Sequence, residues 1–82
     1  MSEDKIITLM AVLSQIEYDD CVPRNVKMRI KNAISALSEK GKLTEVRIDK
    51  ALEELSEIDN DPNIPPYTRT QIWNIVSALE RK

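Results

Sequence analysis

The chain has no histidine and no phenylalanine, and only one glycine, one cysteine and one tryptophan among its 82 residues. Without histidine, the usual general base near neutral pH and the commonest zinc ligand are both missing. The single Cys21 cannot form an internal disulfide, which fits a reducing, cytosolic setting. Asp19 and Asp20 stand beside it and oppose thiolate formation, while a nearby helix N-terminus works the other way. A turn or buried thiol is therefore favoured over a nucleophile. One glycine cannot make the Gly-rich loop that cradles a nucleotide phosphate. The most apolar stretch, Ile6 to Leu13, contains Thr8 and is far shorter than the ~20 residues of a membrane span. The start, Met1-Ser2-Glu3-Asp4, is acidic where a signal peptide is basic. These absences lead to the expectation of a soluble, cytoplasmic, non-enzymatic protein with no cofactor, no metal, no small-molecule substrate and no membrane contact.

What is present is a repeat. Residues 3–40 and 45–82 align without gaps at an offset of 42, with 13 identities in 38 pairs. Unrelated sequences of ordinary composition would give roughly 2 or 3. The matches include Glu3, Ile6, Leu13, Ser14, Ile16 and Asp19 with Glu45, Ile48, Leu55, Ser56, Ile58 and Asp61. Later, Pro23, Ile30, Asn32, Ser35-Ala36-Leu37 and Lys40 fall on Pro65, Ile72, Asn74, Ser77-Ala78-Leu79 and Lys82. With so few aromatics, the core must be built from Ile, Leu, Val and Ala.

Each repeat reads as two helices. The first helix is expected from Glu3 to Glu17, with Ser2 as N-cap and a stripe of Ile6, Leu9, Met10, Leu13 and Ile16. The second should start at Pro23, carry Val26, Ile30, Ala33, Ile34 and Leu37, and stop at Gly41 as a C′ residue. The third should follow Thr44 as N-cap, with Ile48, Ala51, Leu52, Leu55 and Ile58. The fourth should begin near Pro65-Pro66, with Ile72, Ile75, Val76 and Leu79. Asp59-Asn60-Asp61-Pro62-Asn63 is a turn. It fails as a calcium loop because the required glycine is missing and position twelve is Thr70. The pattern predicts one all-α domain over residues 1–82, a four-helix up-and-down bundle made of two duplicated αα-hairpins. The competing arrangement is a helical-repeat solenoid, which usually needs three or more repeats.

Charge alternates along the chain. Residues 1–22 carry a net −4, residues 23–42 a net +5, residues 43–61 a net −5 and residues 62–82 a net +2. Pairing between neighbouring helices is the plain explanation. Arg24, Lys27 and Lys31 share one face of the second helix, with Arg29 to one side, and form a candidate anion or RNA contact. The overall pI near 5.1 and the absence of an aromatic among these bases count against it. Places where the repeats differ mark a candidate partner surface. Ile7 and Val12 stand where the second copy has Asp49 and Glu54. Trp73 replaces Lys31 and reads either as a cap on the core or as a binding residue, and Tyr67 replaces Asn25.

The blocks Val22-Pro23-Arg24-Asn25-Val26-Lys27 and Asp61-Pro62-Asn63-Ile64-Pro65, followed by Arg69 to Glu80, resemble a family of small uncharacterised archaeal proteins of the UPF group. Lys27 stands where that family keeps arginine, Ile64 where it often has methionine, and Tyr67 where it often has a smaller residue. The resemblance implies a bromodomain-like up-and-down bundle and an archaeal, cytosolic origin. It implies no activity, cofactor or catalytic residue. The function expected from the whole sequence is a protein-interaction or self-association module. The alternative is an RNA- or ribosome-associated accessory factor that uses the basic second helix.

Overall fold

The computed structural model describes residues 2–58 and 61–81. Asp59 and Asn60 of the expected second turn, and Lys82 at the end of the repeat, lie outside them. Four helices follow in order: α1 (Glu3–Glu17), α2 (Arg24–Leu37), α3 (Thr44–Ser56) and α4 (Pro66–Glu80). Each helix packs against its neighbours in sequence, and α4 returns to α1. The ring therefore closes, which makes the molecule an up-and-down bundle of about 33 × 20 × 19 Å and not a stacked solenoid.

The apolar stripes meet in one core. Ile6, Leu13, Ile30, Leu37, Ile48, Leu55, Ile72 and Leu79 are fully buried, and the partly buried Met10, Ile34, Leu52 and Val76 pack around them. Burial of each such side chain stabilises the fold by roughly 1.5–3 kcal/mol. The two hairpin turns repeat the same device. Cys21 N–H donates to Asp19 Oδ1 at 2.9 Å, and Asn63 N–H donates to Asp61 Oδ1 at 2.8 Å, 42 residues later. Pro23 and Pro65 both serve as N-caps, one residue earlier than a first helical position, and their carbonyls accept from Lys27 N–H and Arg69 N–H at 3.0 Å. Ser2 caps α1 as expected, through Lys5 N–H at 3.3 Å.

The stop of α2 differs from expectation. The helix ends at Leu37, not at Lys40, and Ser38 is its C-cap. Gly41 lies in the following turn, outside the left-handed backbone region, with open space where a Cβ would stand. The reason lies in Arg47, which is 4% exposed. Its Nε donates to the Leu37 carbonyl at 3.0 Å, and Nη2 donates to the same oxygen. Its Nη1 pairs with Glu3 at the start of α1. One guanidinium thus satisfies the helix end that a glycine motif would otherwise close. Thr44 is likewise the first helical residue and not the N-cap, a place taken by Leu43.

The duplication is not packed symmetrically. The α2–α3 junction is close, whereas α4 stands further from both α3 and α1. Sequence accounts for the difference between the α2–α3 and α4–α1 junctions. The buried Ala33 of α2 and Ala51 of α3 correspond to Ile75 of α4 and Leu9 of α1. Small side chains let one pair of helix backbones approach, and large ones hold the other pair apart. Polar ties follow the same division. The α2–α3 side has Arg47 on Leu37, Glu54 accepting from Arg29 and Asn32, and Asn25 Nδ2 donating to Asp61 Oδ2 at 2.8 Å. At the matching places on the α4–α1 side stand Lys5, Val12, Gln71, Asn74, Tyr67 and Asp19. Val12 offers no acceptor, and Gln71 turns to the Tyr67 hydroxyl of its own helix at 3.4 Å.

Replacing Arg47 by alanine should strip a buried carbonyl of its donors and cost about 1–3 kcal/mol in urea unfolding. Arg47→Lys should recover only part of that, because an ammonium lacks the fork that serves Leu37 and Glu3 together. A variant as stable as the parent would remove Arg47 from this role. Acid should also weaken the fold. The Arg47 hydrogen bond holds the Glu3 carboxyl below its ordinary range, and the Asn63 N–H, then Asn25, do the same for Asp61. The folded chain binds these protons less readily than the unfolded one. Their stabilisation is complete above the unfolded carboxylate range, about pH 4, and is lost as pH falls through the lowered folded values. Urea midpoints measured from neutral pH downward should fall there, and Glu3→Gln should flatten the fall.

Candidate functional site

The outward surface of α2 is built by helical spacing. Val26, Ile30, Ala33 and Leu37 turn inward. Arg24, Met28 and Lys31, all exposed, are left on the opposite side, with the half-buried Lys27 at its border toward α1. Arg29 does not join them. Its Nη1 lies 3.0 Å from Glu54 Oε1, so it is turned toward α3. The four expected anion contacts therefore separate into Arg24, Lys27 and Lys31, which form no ion pair among the described residues, and one neutralised residue.

Two shallow, open depressions meet on this face. One, of about 360 Å³, lies along the α1–α2 groove and is lined by Glu17, Arg24, Lys27, Met28, Lys31 and Asn32. The other, of about 650 Å³, lies over α2 itself and is lined by Arg24, Asn25, Met28, Arg29 and Asn32. Met28 belongs to both and is 61% exposed. It is an apolar side chain at the centre of a basic surface, and the sequence reading did not single it out. Its signal was present, since the second copy has Thr70 at that place. The face is bordered by acid on both sides, by Glu17 toward α1 and by Glu54, Glu57 and Asp61 toward α3. Among the described residues, no cluster of three His, Cys, Asp or Glu could hold a metal ion. No described helix is long and apolar enough to cross a membrane.

The candidate partner surface is not one surface. Ile7, Tyr67 and Trp73 are exposed, at 56%, 72% and 65%. Most of the Trp73 ring is thus in solvent and does not cap the core. Val12 is partly buried and packs against the core, which corrects its place among partner residues. On α1, Ile7 and Val12 are five positions apart and point about 140° away from each other; on α4, Tyr67 and Trp73 differ by about 120°. No single flat partner can engage all four. Ile7→Asp should accordingly leave the thermal midpoint nearly unchanged, within about 0.5 kcal/mol. Val12→Glu should lower it clearly, because it forces a carboxylate into the α1–α4 seam without the Arg29 that serves Glu54. Equal effects of the two substitutions in thermal melts would overturn this division.

No curated protein matches the chain. Among solved structures, the crystal structure of a protein of unknown function, MMP1188, is similar with a TM-score of 0.94 and 40% sequence identity. The match covers 100% of this chain and 93% of that one. The likeness spans all four helices and shows the four-helix fold. Residues 1–81 match the uncharacterised protein family UPF0147, and the chain belongs to that family.

Proposed function

We propose that the chain is a non-enzymatic, cytosolic protein-interaction module of archaeal origin whose docking surface is the outer face of α2. One observation carries this reading: Met28 stands 61% exposed where the two depressions meet, within a ring of Arg24, Lys27, Lys31 and Asn32. An exposed apolar anchor inside a polar, charged rim is the pattern of a protein contact. The polar border gives orientation and rate of encounter, and the methionine gives adaptable apolar contact.

A second reading, contact with RNA, is favoured by Arg24, Lys27 and Lys31, which form no ion pair among the described residues and share one side of α2. Phosphate contacts through them would weaken steeply with salt. The carboxylates on either side of the face oppose a long polyanion. The helix itself carries no aromatic side chain on which a base could stack.

Tagged wild-type chain and Met28→Asp should be compared in pull-downs from host lysate, with and without nuclease. A protein retained after nuclease and lost with Met28→Asp is the expected result. Retention unaffected by the substitution would reject the Met28 surface. Recovery that vanishes with nuclease would transfer the face to the RNA reading.

A further inference from the structure

We propose that the partner is a second copy of this chain, with α2 of each copy docked on α3 of the other about a two-fold axis parallel to the bundle. The proposal rests on the interaction reading above and names its occupant. It begins from charge that the fold leaves over. Residues 23–42 carry a net +5 and residues 43–61 a net −5. Between α2 and α3, the described residues form one ion pair, Arg29–Glu54; Arg47 reaches instead to α1 and Lys42 to Glu39 of its own turn. Arg24, Lys27 and Lys31 on α2, Glu53 on α3 and its C-cap Glu57 have no ion pair among the described residues. Pairing inside the molecule therefore explains only one contact of the charge alternation.

The leftover charges form two matching stripes. On α3 and its C-cap Glu57, Val46, Lys50, Glu53 and Glu57 follow at i, i+4, i+7 and i+11, on the side away from the buried Ile48, Ala51 and Leu55. This stripe is acidic, with the 45% exposed Val46 as its apolar member. Its one base, Lys50, already stands with Glu39 on the wall of a depression between α2 and α3. On α2 the stripe is basic, with Met28 as its apolar member. Inside one molecule α2 and α3 run antiparallel, and their register is fixed: Asn25 is level with Asp61, Arg29 with Glu54, and Leu37 with Arg47.

A two-fold axis parallel to these helices keeps that register. It lays α2 of one copy over α3 of the other, antiparallel and at the same height. Lys31 then comes level with Glu53, Met28 lies over the Glu57 end of the stripe, and Arg24 stands one turn further along. The contact occurs twice, as an isologous interface requires. An arrangement of α2 on α2 would instead oppose like charges. Exposed ion pairs contribute little individually, so the association is weak and set by complementarity. It depends on salt, since screening acts over about 8–10 Å at moderate ionic strength.

The test uses the full chain in sedimentation equilibrium, at roughly 50 and 500 mM salt. Dimers are expected at the lower concentration, with a dissociation constant at least about tenfold weaker at the higher. Two charge-reversed chains make the test specific: Arg24→Glu with Lys31→Glu, and Glu53→Lys with Glu57→Lys. Each alone should be monomeric, and a one-to-one mixture should restore a dimer. Circular dichroism checks that both are folded, and the single changes Lys31→Glu and Glu53→Lys replace any that is not. A wild-type chain that is monomeric at low salt, variants that still dimerise, or a mixture that restores nothing would each overturn the proposal. Capture of a different protein through Met28 by a monomeric chain would overturn the dimer and leave the interaction reading intact. Capture of RNA, abolished by the first variant and not by the second, would overturn both.

Discussion

The arrangement of the bundle depends on one buried guanidinium. Arg47, in the first turn of α3, donates to the last carbonyl of α2 and pairs with the first residue of α1. Three helix ends are thereby fixed at one point. A buried charge is costly unless its donors are used, and here the carbonyl and the carboxylate use them. Glu3 remains about half in water, so the pair avoids the full desolvation of two buried ions. The geometry also explains why a chain with one glycine can end α2 sharply. The orphan carbonyl finds its donor in the next helix and needs no left-handed residue. The pseudo-equivalent Lys5 has no such role and lies exposed on α1.

From that point the asymmetry of the duplication follows. A repeated hairpin packed by an exact two-fold would give two equal junctions. Arg47, Glu54 and Asp61 tie α3 and its following turn to α2, and the buried Ala33 and Ala51 let the two helices come close. The copies of these positions on α4 and α1 hold the apolar Ile75, Leu9 and Val12 and the exposed Tyr67, and none of these side chains makes a matching tie among the described residues. One junction is close and polar at its rim, while the other is wider and apolar. The repeat has kept its core stripe and changed its seams. That is where substitutions alter packing distance without breaking the helical period.

Much of this was legible in sequence, and the rest was hidden for physical reasons. Period and turn chemistry place α1 at its observed residues and the other helices to within one to three, and they place nearly every core residue. Gly41 misled because its usual role depends on an orphan carbonyl, and Arg47, ten residues beyond Leu37, removed the need. Arg47 itself could not be picked out, since an arginine beside an apolar stripe normally lies in solvent with only its stem covered. Spacing put Arg29 off to one side of the basic set, but only coordinates show it bound to Glu54. Val12 and Ile7 looked equivalent because both replace an acid. Their opposite directions on α1 separate them, one into the core seam and one into solvent. The copies differ at Met28 too, since Thr70 stands at its place in α4.

The alternation of charge acquires a meaning once the seams are known. If neighbouring helices neutralised one another, the close α2–α3 junction would be where most pairs formed. Among the described residues it forms one, Arg29–Glu54, because Arg47 is turned to the Leu37 carbonyl and to Glu3 of α1. Arg24, Lys31, Glu53 and Glu57 lie exposed on the outer faces and form no ion pair among the described residues. Two adjacent antiparallel helices then present stripes of opposite sign in a register set by their internal ties. A surface with that pattern is self-complementary under a parallel two-fold, and it is poorly suited to a uniform polyanion. The same substitution pattern that distinguishes the second seam from the first therefore also distinguishes which face of the molecule can be met by another.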